Sequence, residues 1–136
     1  MKVRHEDGLE MTTYGAWSQG HAVVDVPAEE VPVVVLHVCA EDPELGLDLN
    51  TAEGGKVSTG MAFRSWGERI RFAVEPLFET RSVVTATCRP AFLLGLTNWG
   101  RSEKYLYRFL SGLRAGRPTE ASGAAAGTPA PRRRDG

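Results

Sequence analysis

The sequence is short of several things, and each shortage removes a class of protein. Cysteine is limited to Cys39 and Cys88, far apart and in no C-x-x-C pair, so the spacing of a zinc knuckle or a dithiol redox centre is missing. In a chain of this kind two such thiols serve as small buried hydrophobes. No long apolar run exists: Val33–Leu36 and Ala91–Leu96 are the longest, far below the roughly 20 residues of a membrane-spanning helix. The opening Met1–Asp7 is charged and runs into no apolar segment, so a secretory signal is not expected and the cytoplasm is the expected location. An excess of one charge is also missing. With 16 Lys+Arg against 17 Asp+Glu, the net charge is -1, and no overall basic field argues for nucleic acid as a partner.

Catalytic signatures are equally scarce. His5, His21 and His37 recur at intervals that fit no metal-ligand periodicity, and neither a G-x-S-x-G elbow nor a catalytic cysteine signature is present. Glu68 and Glu75 fall on opposite faces of one strand and cannot converge as an acid/base pair. Glu53-Gly54-Gly55-Lys56 lacks the remaining positions of a phosphate loop and reads as a turn before a strand. No catalytic residue, metal site or cofactor is therefore assigned.

What is present fits one ordinary domain. Hydrophobic residues make up 42% and charged residues 24% of 136, near the averages for globular chains. From Gly116 to Gly136 nothing apolar larger than Ala occurs, and four arginines face two acids; such a stretch cannot offset its ordering entropy and is expected to be a disordered basic tail. Residues 1–13 are polar and unpatterned and are expected to be a flexible leader, with Met11 as a second candidate start. The ordered domain is then 14–115.

Within it, His21–Val26 is β-prone and ends at Pro27, which opens a helix over 28–40 with Val31, Val34, Val35 and Val38 at helical spacing. A buried strand is the rival, because Val33–Leu36 is largely β-branched and Pro32 would fall inside the helix. Val57–Phe63, Ile70–Val74 and Val83–Arg89 alternate at period two and read as three strands of a meander. After Asn98 as a cap, Leu106, Phe109, Leu110 and Leu113 form one apolar stripe that ends at Gly116. The expected fold is α+β: an antiparallel sheet of three to five strands, with a long C-terminal helix and one shorter helix on one face.

Two segments carry a resemblance. Val24–Val31, a strand turning into a helix through Pro27, is similar to the opening of helix-grip domains of the START and polyketide-cyclase type. The stretch from Gly60 to Leu113 contains Phe63-Arg64-Ser65-Trp66-Gly67-Glu68-Arg69-Ile70, Arg89-Pro90 and Asn98-Trp99-Gly100. It resembles a group of small bacterial domains of unknown function. The resemblance implies ligand binding and brings no catalytic residue.

The residues that remain to carry function are arginines among aromatics: Arg64, Arg69, Arg71, Arg81, Arg89 and Arg101, with Phe63, Trp66, Phe72 and Trp99. Guanidinium forks suit carboxylates and phosphates and stack on indoles. The expected function is non-enzymatic binding of an apolar or amphipathic small molecule between sheet and closing helix, with arginines at the rim, and the expected partners are an apolar or anionic small molecule or a second copy of the chain. The alternative is a protein-interaction or homodimerisation module, and a cyclase-like or hydrolase-like enzyme comes third.

Overall fold

In a computed structural model, residues 1–59, 68–90 and 101–116 are described, and every structural statement below concerns these. Strands β1 (Lys2–Glu6), β2 (Leu9–Tyr14) and β3 (Trp17–Val24) come first. One 3-10 turn (Ala28–Glu30) leads into α1 (Val31–Glu41). Strands β4 (Leu45–Thr51), β5 (Gly54–Thr59), β6 (Glu68–Phe78) and β7 (Arg81–Pro90) follow, and α2 (Arg101–Ala115) closes the domain. All seven strands join one antiparallel sheet in the order β1-β2-β3-β7-β6-β5-β4. It consists of two local meanders, β1-β2-β3 and β4-β5-β6-β7, joined where β3 pairs with β7.

This corrects the expected three to five strands and the long C-terminal helix. The sheet has seven strands, and α2 is 15 residues, an element of ordinary length beside the 11-residue α1. The extra strands come mostly from the chain start. Residues 1–13, expected as a flexible leader, form β1 and most of β2, with Leu9 and Met11 only 2% and 1% exposed. The tail assigned to 116–136 lies outside the described residues beyond Gly116.

The helix after Pro27 is present, and Pro32 is harmless because the α-helix starts only at Val31. Proline then falls in the first turn, where its missing N–H has no intrahelical acceptor to lose. Asn50 Nδ2 donates to the Pro32 carbonyl at 2.8 Å and ties edge strand β4 to this turn.

Both helices lie on one face of the sheet. The α2 stripe of Leu106, Phe109, Leu110 and Leu113 is fully buried against Met11, Val24, Ile70, Phe72 and Val84 of the core, with the Phe72 and Phe109 rings 5.3 Å apart. The buried hydroxyls are hydrogen-bonded: Ser18 Oγ lies 2.8 Å from Thr13 Oγ and 3.0 Å from Ser102 Oγ, and Ser82 donates to the Val26 carbonyl at 2.7 Å. In β3, a Cβ on Gly20 would sit 2.4 Å from the Glu10 carbonyl of β2, so only glycine fits. Among the described residues no helix is long and apolar enough to cross a membrane.

Strand β1 is held to α2 by polar contacts. Glu6 accepts from the Tyr107 hydroxyl at 3.0 Å and from Arg114 Nη1 at 3.0 Å, and the Arg4 guanidinium lies 4.2 Å from the Tyr107 ring centre. Lys2 and Arg4 both reach Glu103, at 3.2 and 3.6 Å.

Two measurements check this arrangement. Met11→Ala should lower the free energy of chemical unfolding by about 2–5 kcal/mol, the range for a fully buried methionine, whereas a residue in a flexible leader would leave it unchanged within about 0.5 kcal/mol. The Tyr107 hydroxyl, then Arg114 and Arg4, hold the Glu6 carboxyl below its usual value of 4.5 against the opposing effect of burial. Its contribution is therefore present above about pH 4.5 and fades as the pH falls through the folded-state value. The stability gap between the parent and Glu6→Gln should be wider at neutral pH than at about pH 3, and a pH-independent gap would remove Glu6 from this role.

Candidate functional site

Period-two alternation in β6 and β7 divides their side chains between two environments. Ile70, Phe72, Val74, Val84, Ala86 and Cys88 go to the core, while Arg69, Arg71 and Arg89 point from the face opposite α1 and α2. Register then assembles them. Arg69 is the cross-strand partner of Arg89, and Arg71 that of Thr87. On the other side Arg71 pairs with Lys56 and Arg69 with Ser58. Together Arg69, Arg71, Thr87, Arg89 and Pro90 line an open depression of about 440 Å³.

An aromatic pair borders this depression. Tyr14 and Trp17 are cross-strand partners across a two-residue turn in which Gly15 takes a left-handed φ of 67°. Their rings stack at 4.6 Å with an interplanar angle of 22°. The Arg89 guanidinium lies 4.6 Å from the Trp17 ring centre, so the arginine is held by a face-on cation–π contact.

The electrostatics of the cluster set it apart. Elsewhere arginines meet carboxylates: Arg108 with Asp42 at 2.6 Å and Glu44 at 2.7 Å, Arg81 with Asp25 at 2.9 Å, Arg114 with Glu6 at 3.0 Å. Among the described residues Arg69, Arg71, Arg89 and Lys56 make no such ion pair. Like charges opposite one another in a sheet repel, and four cations on adjacent strands leave an uncompensated positive field. Acids on the same face lie at its margins. Glu75 is exposed two alternations beyond Arg71 on β6, Glu10 sits between His5 at 3.6 Å and His21 at 4.0 Å, and Asp48 accepts from the Ser58 hydroxyl.

Of the residues singled out in the sequence, Arg69, Arg71 and Arg89 come together on the open face. Phe72 does not join them, because it points to the opposite face and packs on Phe109. Phe63, Arg64, Trp66 and Trp99 lie outside the described residues, as does the side chain of Arg101. Sequence reasoning missed Tyr14, Trp17, Lys56 and Thr87. Lys56 and Thr87 were legible as outward positions of alternating strands; Trp17 was not, since only the β3–β7 pairing brings it to Arg89.

The other candidate groups are inert by their surroundings. Burial, then the Asp42 and Asp48 carboxylates, pushes the Cys39 thiol up to about 11. Burial and Glu68 push Cys88 further in the same direction. Both are free thiols. No group of three or more His, Cys, Asp or Glu side chains that could hold a metal is found among the described residues.

No protein-family model matches the chain, and no curated protein matches it. Among solved structures it is similar to a conserved protein of unknown function from Enterococcus faecalis, with 9% identity and a TM-score of 0.44 over 86% of this chain and 80% of that one. The START and polyketide-cyclase resemblance gains no family support from these comparisons.

At pH 8 a thiol with a value near 11 is ionised to only about one part in a thousand, and thiolate is the reactive form. Both cysteines should therefore react with a disulfide reagent at least a hundredfold more slowly in the folded protein than in denaturant. Rapid reaction of either thiol under native conditions would show that the pocket around it opens.

Proposed function

We propose that the protein is a binding domain that holds an anionic ligand, through phosphate or carboxylate groups, against the open face of its sheet. The observation that carries this reading is the juxtaposition of Arg69, Arg71 and Arg89 with no carboxylate partner among the described residues. Three guanidiniums offer forked donors suited to planar or tetrahedral oxyanions. The Thr87 hydroxyl adds a neutral donor between them, and Pro90 adds an apolar wall. The groups that line the depression serve recognition: they fix an anion, and none of them is a nucleophile activated by a neighbouring base.

This reading places the ligand on the sheet face opposite the one first expected. Between sheet and closing helix, Met11, Ile70, Leu106, Phe109, Leu110 and Leu113 are each 0–1% exposed, and that layer is taken up by core packing. The outer face, by contrast, keeps its cations exposed.

Inorganic phosphate, titrated at constant ionic strength against chloride, should raise the melting temperature by mass action. Arg69→Ala, Arg71→Ala and Arg89→Ala should each weaken that binding about tenfold or more, the usual loss for a hydrogen bond to a charged group. Arg81→Ala, whose ion pair with Asp25 is remote from the cluster, should leave it unchanged. Equal loss in all four variants, or no phosphate effect at all, would sink the proposal.

A further inference from the structure

Building on the anion-binding reading, the geometry points to single-stranded nucleic acid as the ligand of the open face, and we infer that the Tyr14–Trp17–Arg89 column and the arginine cluster form one continuous platform for it. Three features take the inference from any anion to this one.

The first is extent. Lys56 is on β5, Arg69 and Arg71 on β6, Arg89 on β7, Trp17 on β3 and Tyr14 on β2, and these strands are consecutive in the sheet. At about 4.8 Å between neighbours, the row spans about 19 Å. A lone phosphate or a small carboxylate occupies a fraction of that length, whereas a chain of linked phosphates can follow all of it.

The second is shape. Small ligands are held in concave sites that bury most of their surface, but here the cations stand exposed on the sheet face opposite α1 and α2, around an open depression among the described residues. Such a surface admits a ligand that enters and leaves past both ends of the site.

The third is the aromatic pair. Bases stack on exposed aromatic rings and on guanidinium planes whatever their identity, which is why unspecific single-strand binding combines a basic track with rings. Tyr14 is 37% exposed although its ring is stacked on Trp17, and Arg89 continues the stack towards the other guanidiniums. Rings beside cations match a polymer that alternates bases with phosphates. Paired bases are already stacked on one another, so the same column has nothing to offer a duplex. Gln19 and Thr87, cross-strand partners on this face, add polar contacts without a fixed code for any base.

The net charge of -1 had argued against nucleic acid. Averaging hid a segregation: four cations lie together while the acids of the same face stand at its margins, Glu75 further along β6, Glu10 beside His5 and His21, and Asp48 on the Ser58 hydroxyl.

The test is fluorescence anisotropy of the full chain with labelled oligo(dT) and oligo(U) of about twelve nucleotides, a length within the usual single-domain site sizes. Inorganic polyphosphate of matched charge, a duplex of equal length and free UMP serve as competitors. Both oligonucleotides should bind, with log K falling against log salt with a slope of about −2 to −3, as expected for three to four phosphate contacts on a single strand. Arg89→Ala should abolish most of the binding. Tyr14→Ala should weaken it about tenfold, while Tyr14→Phe, which keeps the ring, should retain it; thermal melts establish that both variants are folded. The duplex and UMP should each compete at least tenfold less well. If polyphosphate competes as well as the oligonucleotide and Tyr14→Ala is neutral, the nucleic-acid inference falls and the anion-binding reading stands. UMP binding as tightly as the oligomer overturns the polymer. If neither oligonucleotide nor polyphosphate binds, both readings fall.

Discussion

The structure depends on the contact between the apolar stripe of α2 and one face of the sheet. Leu106, Phe109, Leu110 and Leu113 are fully buried there, and the same helix reaches β2, β3, β6 and β7. At roughly 25 cal/mol per Å² of apolar surface removed from water, burying these four large side chains is a major stabilising contribution. An antiparallel sheet needs a cover on one face only and can leave the other to solvent. With both helices on the same side, seven strands present their alternate side chains to water as a broad platform.

That division decides where chemistry can reside. On the covered face, polar atoms must find protein partners, and the chain of hydroxyls from Thr13 through Ser18 to Ser102 shows how they do so. On the bare face water solvates whatever is there, so arginines can stand side by side at a tolerable cost. The register of β5, β6 and β7 turns residues that are separate in sequence into a compact cationic field, and the β3–β7 pairing adds an aromatic border. Four cations with little else in common become one surface through hydrogen bonding of the backbone alone.

How much of this the sequence disclosed follows from how local each signal is. The α2 stripe and the alternation of β6 and β7 are periodic within their own segments, and both elements are where periodicity places them. Strands β1 and β2 escaped because their inward positions are not uniformly apolar. Lys2, Arg4 and Glu6 face α2, where Glu103, Tyr107 and Arg114 receive them about a hundred residues later in the chain. One local clue existed in Asp7-Gly8, a two-residue hairpin turn with Gly8 at φ 80°. Strand β4 escaped for a related reason, since its register slips between Leu47 and Leu49 and breaks the alternation. For the arginines, alternation revealed that Arg69 and Arg71 point one way. That Arg89 and Trp17 join them is a property of the sheet order.

The seam between β3 and β7 has a consequence for how the molecule assembles. Within each meander the paired strands are consecutive in the chain, but joining the two brings Val24 beside Ser82 and Ser18 beside Cys88, which closes a long loop before any reward is collected. Folding should therefore proceed as two quickly formed half-sheets that meet late, with α2 as the clasp that cannot act until the end of the domain has been synthesised. Until then each half carries an unprotected edge of the same hydrogen-bonding pattern as its proper mate. The same register would serve β3 of one copy against β7 of another, so what keeps the two halves loyal to their own chain is that one seam.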